Sequence, residues 1–455
     1  MKRLIILLTW AGAFPMLFAQ DFSPVIHRMV PNLVDIRSMG MGKTGSAGNT
    51  GSNAIFGNPS LLALQQNGSI KLGSNIHLAF ANNEYTDQSS EKSELEVKYG
   101  YNPNVKFSHI SAALPFQFNS SSVPFSFAFG TGYHNAIDLS STKYLKANSI
   151  TLANFYQYEE TIKFRGGLNT ISPALAFGFF NRVSAGISFN IGFGNTKYEG
   201  IFNSSDIIHG EKVEYNAVIP GKGFSTSIGI TGKPLDNLTL GANITPPYKW
   251  TWDEIEEVER KNGYSNKRKI PGGKFTIPLN FSIGGEYQLT EYFSFALEYQ
   301  IRPFESYKLD ADKTSGGSNK MAEIESDIKE MNLKNGHAFH AGVELIAGHI
   351  PFRFGFFLEP YPLISENIAN GTPKQSEEPV NMIGGTFGLS APITSKNVFL
   401  ELAAQYGLLK RTLSSGLEEY KDTEHHLRID LGVKVDLPSF SSDKSANTDM
   451  SAPGI

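Results

Sequence analysis

Near the C-terminal end of the chain, apolar and polar residues alternate strictly. Leu427, Ile429, Leu431, Val433, Val435 and Leu437 are separated by Arg428, Asp430, Gly432, Lys434 and Asp436. Successive side chains on a β-strand point to opposite faces, so one face of this segment is apolar and the other polar. The pattern recurs upstream. Phe293, Phe295, Leu297, Tyr299 and Ile301 alternate with Ser294, Ala296, Glu298 and Gln300. Leu279, Phe281 and Ile283 alternate with Asn280, Ser282 and Gly284. Val398, Leu400, Leu402 and Ala404 alternate with Phe399, Glu401, Ala403 and Gln405. A polar face repeated around a closed sheet means a wet interior, which predicts an all-β, antiparallel transmembrane barrel rather than a sandwich.

About fourteen such segments are recognisable. They start near Gly68, Val105, Val123, Thr170, Val183, Lys222, Leu238, Thr276, Tyr292, Gly336, Pro351, Asn381, Asn397 and Glu424. The connections alternate in length. Short ones fall at Asn119–Ser122, Asn181–Arg182, Lys233–Asn237, Thr290–Glu291, Gly348–Ile350 and Pro392–Lys396. Long ones fall at 82–104, 135–169, 195–221, 247–275, 305–335, 360–380 and 409–423. Outer-membrane barrels have short periplasmic turns and long outer loops, and an even strand count places both termini in the periplasm.

The N-terminal end reads differently. Lys2 and Arg3 precede an apolar stretch running to Phe18, and residues 1–19 are expected to be a secretory signal. Residues 20–67 are rich in Gly, Ser and Asn and show no alternation; residues 441–455 form a tail after the last strand. No other segment is long and apolar enough for a membrane helix, so a membrane-embedded form crosses with strands alone. The expected location is the outer membrane of a Gram-negative bacterium, as an integral monomer in contact with lipid and lipopolysaccharide. The 33 Phe, 18 Tyr and 44 Gly suit a membrane barrel. A net charge of -4 argues against nucleic acid, and the absence of Cys excludes disulfides and thiolate chemistry.

Several local patterns carry residue types used in chemistry. Gly40-x-Gly42-x-x-Gly45 has the letters of a dinucleotide fingerprint but lacks a preceding strand and an acid near position 62; Arg37 occupies the first-glycine position of a phosphate loop. His337 and His340 fall on opposite faces of a strand, as do His425 and His426, so neither pair is a metal site. No catalytic set assembles, so no enzyme activity, cofactor or metal is expected. In the 305–335 connection, Met321, Ile324, Ile328 and Met331 make one apolar helical face. In 135–169, Tyr144, Leu152 and Phe155 are apolar residues in an outer loop. Both sets cover the barrel rim or line a groove for a hydrophobic ligand. Arg260, Lys261, Lys267, Arg268 and Lys269 cluster in one outer loop, where lipopolysaccharide phosphate would attract them.

The run Gly40-Met41-Gly42-Lys43-Thr44-Gly45-Ser46-Ala47-Gly48, followed by Asn53-Ala54-Ile55-Phe56-Gly57-Asn58-Pro59-Ser60-Leu61-Leu62-Ala63, resembles the N-terminal plug of the FadL family of outer-membrane transporters. Gly223-Phe224 through Leu238–Ala242 to Pro246-Pro247, and Ile277–Asn280 with the strands after it, fit the same family. Ser60 stands where the family usually has Ala, and Leu61 where it often has Gly. The resemblance implies a fourteen-stranded barrel over 68–440 with residues 20–67 inside it as a plug. It implies uptake of a hydrophobic small molecule such as a long-chain fatty acid or an aromatic hydrocarbon. Asn58 and Pro59 would anchor a plug turn or control its opening. Gly130 and Gly132 would form the strand kink beside which the family releases substrate sideways. Some relatives serve type IX secretion, so the alternative is a protein-binding outer-membrane component that engages a secreted protein.

Overall fold

The computed structural model describes residues 35–48, 50–87, 92–100, 105–118, 123–151, 154–206, 210–261, 264–270, 272–311, 333–369, 372–393, 397–415 and 418–441. The signal segment, Leu152, Met321, Ile324, Ile328 and the end of the tail lie outside them.

Fourteen antiparallel strands form a closed barrel. They are β1 (Ser69–Asp87), β2 (Lys106–Phe118), β3 (Phe125–Asp138), β4 (Asn154–Ile171 continued by Ala174–Phe179), β5 (Val183–Asp206), β6 (Gly210–Leu235) and β7 (Leu238–Thr245). They continue with β8 (Asn280–Thr290), β9 (Phe293–Arg302), β10 (Gly336–Ala347), β11 (Ile350–Ala369), β12 (Thr372–Pro392), β13 (Val398–Ser415) and β14 (Glu418–Asp436). Each pairs with its neighbour in sequence. β14 closes the ring on β1 in one unbroken register, from Ser69 opposite Asp436 to Asp87 opposite Glu418. Closure satisfies every ladder edge, which is what a sheet surrounded by lipid requires.

The wall is apolar outside and polar inside. Leu72, Ile110, Phe129, Phe177, Ile191, Phe224, Ile230, Leu297, Phe356 and Leu431 are exposed on the outer surface. Polar residues at alternate positions are buried in the interior, among them Lys71, Ser111, Ser126, Glu298, Glu424 and Asp430. A soluble protein would reverse this arrangement. In lipid the exposed apolar band faces its preferred solvent, and the interior polar groups bond one another. The helical-spacing histidines divide as strand geometry requires: His340 is buried inside, while Nδ1 of His337 meets the Tyr299 hydroxyl at 2.6 Å on the outer face.

Among the described residues, much of the long outer connections expected from sequence is paired strand. β5 and β6 run 24 and 26 residues, whereas crossing a bilayer takes about 9–11. Both therefore continue well beyond the membrane. Strands Lys92–Gly100 and Ser141–Thr151 pair with each other, and the second pairs with β4, extending the wall outward. Ile255–Lys261 and Tyr264–Ile270 form a hairpin beside β6. Tyr248–Trp252 and Gly273–Ile277 form a second ribbon, joined by Lys308–Ala311. β7 and β9, at 8 and 10 residues, stop near the membrane level. Long strands persist where ladder pairing continues on both sides, and the apolar face that revealed them in sequence ends with the lipid.

Inside the barrel lies the N-terminal segment 35–67. It contains one helical turn, α1 (Ile36–Gly40), and two 3-10 turns, Gly51–Phe56 and Pro59–Leu64. Asp35 caps α1, its side chain accepting from the Ser38 N–H at 2.9 Å. Asn58 caps the second 3-10 turn through the Ser60 N–H, with Pro59 at the first position, where a missing N–H costs nothing.

Candidate functional site

The luminal segment is fastened to the wall by buried ion pairs. Asp35 sits 2.7 Å from Lys71 of β1, which is also 3.5 Å from Glu401 of β13. Burial raises the Asp35 carboxyl, but Lys71 and the Ser38 donors outweigh it and hold the group below its ordinary value. Arg37 spans two strands. Its NH2 donates to Glu286 Oε1 of β8 at 2.8 Å and to Glu344 Oε1 of β10 at 3.1 Å. Its Nε and NH1 donate to the second oxygens of the same carboxylates at 3.3 and 3.1 Å. Arg353 of β11 donates to Glu344 Oε2, which it shares with Arg37, and to Ser390. Lys43 reaches Glu359 at 2.8 Å and lies over the Phe357 ring.

Backbone groups of the segment are satisfied by the wall as well. The Gly45 and Ser46 N–H groups both donate to Glu298 Oε2 at 2.7 Å. Thr386 accepts from the Gly42 N–H and donates to the Gly40 carbonyl, each at 2.9 Å. The Asn58 amide donates to the Ser46 carbonyl at 2.7 Å and to Thr231 at 3.1 Å, while Ser60 and Thr231 share a 2.6 Å hydrogen bond. Such close approach demands small residues in the wall. A methyl group at Gly229 would overlap Asn58 Oδ1, and one at Gly241 or Gly355 would overlap the backbone of Ser46 or Gly42. Apolar packing completes the seal. Ala54, Ile55, Leu61, Leu62 and Ala63 bury against Ala113, Ala128, Ala174 and Ala176, and Ile36 and Met39 against Ala403. Among the described residues, every strand of the wall touches this segment.

Above the segment, toward the long connections, lies a chamber of about 210 Å³. Its floor is Met39, Lys43, Ser46, Phe56 and Asn58; its walls include Asn243, Asn280, Glu298, Arg302, Glu359, Gln405 and Arg428. Phe304 joins it to a buried aromatic cluster with Trp250, Phe275 and Tyr307. On the short-turn side, two cavities of about 290 and 400 Å³ both border Gly51 and Glu286. The luminal segment separates these cavities from the chamber.

The residues singled out by sequence fall in different places. Asn58 and Pro59 are in the luminal segment, with Asn58 in the chamber floor. Gly130 and Gly132 face inward on β3, where an added methyl would meet Ile55 Cδ1 at 2.8 Å and Phe56 Cζ at 2.5 Å. No register shift falls at either glycine. β3 keeps one register with β2 from His109–His134 to Phe118–Phe125, and its irregularity toward β4 lies between Asn135 and Ile137. Tyr144 and Phe155 stand on paired strands rather than in a loop, and Tyr144 does not line the chamber. Of the cationic cluster, Lys269 pairs with Glu254 at 2.6 Å and Arg260 lies 4.0 Å from Glu214. Arg268 is opposite Glu257, and Lys261 closes the same hairpin opposite Tyr264. Lys267 pairs with Glu256 across the hairpin at 2.8 Å, so at least part of this charge has acidic partners. Sequence reasoning missed the chamber residues Lys43, Arg302, Glu359 and Gln405. For Arg302, Glu359 and Gln405 the only signal was parity, since they share the inward face with Glu298, Asp430 and the other polar positions; Lys43, in the luminal segment, carried none.

No protein-family model matches the chain, and no curated protein matches it. The fold does match solved structures over nearly their whole length. A Pseudomonas aeruginosa FadL homologue aligns with TM-score 0.61 at 11% identity, covering 90% of this chain and 99% of that one. The Ralstonia pickettii toluene transporter TbuX aligns with TM-score 0.56 at 13% identity, covering 90% and 99%. The CymD monoaromatic hydrocarbon channel aligns with TM-score 0.54 at 12% identity, covering 90% and 98%. The chain has a FadL-like barrel fold, and these neighbours are channels and transporters rather than enzymes.

Proposed function

We propose that this protein is an outer-membrane transporter that admits a hydrophobic small molecule, of the fatty-acid or aromatic-hydrocarbon kind, into a Gram-negative cell. The observation that carries the reading is the chamber closed below by a fastened luminal segment, inside a wall with an apolar outer belt. Apolar groups of the chamber, Met39, Phe56, Phe304 and Met382, bury part of a ligand at about 25 cal/mol per Å². The luminal segment, residues 20–67 taken as one plug, is the gate. Asn58 and Pro59 hold its turn against β6, and Gly130 and Gly132 accept its first 3-10 turn. Movement of the plug joins the chamber to the cavities below, and a ligand favours opening only by binding the open form better. The likeness to hydrocarbon channels supports this reading through fold alone.

The test is uptake of radiolabelled oleate and toluene by a Gram-negative host lacking its own uptake barrel, with mass spectrometry of molecules retained after mild detergent extraction. Uptake above the empty host, together with a retained apolar molecule, supports transport. No uptake, with a secreted protein retained instead, favours the secretion role.

A further inference from the structure

The chamber lining carries more hydrogen-bonding capacity than a hydrocarbon uses. Gln405 of β13 is 5% exposed, and its Oε1 has no hydrogen-bond partner among the described residues. Across the lumen, Asn243 Oδ1 of β7 and Asn280 Oδ1 of β8 also lack partners. All three border the chamber. A buried amide left unpaired is unfavourable, and a hydroxyl satisfies either end of an amide because it both donates and accepts.

Charge decides what kind of polar group fits. Three cations line the chamber, Lys43, Arg302 and Arg428, and three carboxylates, Asp138, Glu298 and Glu359. The formal charges cancel. Lys43 is engaged by Glu359, Asp138 by Lys106 and Arg428 by Asp430. Glu298 is occupied by two backbone donors of the luminal segment. Arg302 is hydrogen-bonded to Gln300 and lies in the field of Glu359 and Glu298. The fixed charges balance as a group and present no net charge to an ion, while Met39, Phe56, Phe304 and Met382 supply an apolar portion.

We propose that the chamber is a binding site for an amphiphile with an uncharged, hydroxyl-bearing head, held by the Gln405, Asn243 and Asn280 amides. This rests on the transport reading above for the role of the chamber, and moves the preferred substrate from the fatty acid or hydrocarbon named there to a neutral hydroxylated amphiphile. A plain hydrocarbon or simple ester leaves the three amides unpaired and is disfavoured.

Two neutral probes with the same acyl chain separate the possibilities: 1-monodecanoylglycerol, which carries two hydroxyls, and methyl decanoate, which carries none. Binding is measured by equilibrium partition onto the full chain in nanodiscs, with empty nanodiscs subtracted. The glyceride is expected to bind at least about tenfold tighter. Gln405→Met and, independently, Asn243→Leu are each expected to cut that ratio by about fivefold, with heat-modifiable mobility on gels as the folding control. Equal binding of the two probes, or an unchanged ratio in both folded variants, overturns this assignment and leaves transport standing. Binding of neither probe also overturns this assignment, and the transport reading falls with it only if oleate and toluene are not taken up either.

Discussion

Replacing Arg37 by Met removes the one side chain that ties the luminal segment to β8 and β10 together. Arg37 makes four charge-assisted hydrogen bonds, two to Glu286 and two to Glu344. Glu344 keeps Arg353 as a partner, but Glu286 loses its cation. Breaking a fully buried pair costs about 3–5 kcal/mol. Glu286 borders both lower cavities and is 17% exposed, so water recovers part of this, leaving about 2–3 kcal/mol. At about 1.4 kcal/mol per decade, the undocked fraction rises roughly 30- to 150-fold. Planar-bilayer recording of the purified barrel is the assay: the variant should show frequent open events where the parent chain is nearly silent. The second substitution Glu286→Gln should restore much of the closure, because it removes the orphaned charge. The chain has no Cys, so Ser46→Cys with Ser282→Cys, whose hydroxyl oxygens lie 2.8 Å apart, can cross-link the segment to the wall and silence the variant. An Arg37→Met barrel as silent as its parent would refute the account of how the segment is held.

Other tests address separate parts of the structure. Gly229→Val should bar Asn58 from its seat, leaving a heat-modifiable barrel whose N-terminal segment is cut by added protease; a protected segment would show that the close approach is not required. Asn58→Ala should cost about 1–3 kcal/mol of docking and raise open probability without lowering barrel yield, read in the same recordings. Leu72→Arg, on the lipid face, should destabilise folding into vesicles by about 2–4 kcal/mol, measured by denaturant titration, whereas the exposed Lys267→Ala should change it little. Asp35 lies below its ordinary value, so its contribution is complete above about pH 4. It falls away as pH drops through the lower, folded value. Protease access to the segment should therefore be flat from pH 5 to 8 and rise only in stronger acid.

The wall was readable because lipid enforces a rule that the sequence must obey at every second residue. Val183, Leu238 and Gly336 begin strands where the alternation begins, and Arg428 and Asp430 face inward as their parity requires. Beyond the bilayer both faces of a strand meet water. Ser141–Thr151 accordingly has no apolar side to betray it and reads as a loop. The luminal segment announced its glycines but not their partners. Gly229 and Gly355 look like ordinary strand glycines until the backbone they admit is in place. The chamber was legible only as an inward face, since the depth at which Gln405 or Glu359 meets the lumen depends on how high the segment rises.

The seam joining β1 to β14 has a consequence for biogenesis. The segment that fills the barrel precedes β1 in the chain, and β14 is the last strand to be made. If the sheet stays open until β14 arrives, the segment made before β1 has an open concave face to dock on, and ring closure then encloses it. Closure around an empty centre would leave Glu286 without its cation and Glu298 without its two backbone donors, so the ring is more stable when it closes on the filler.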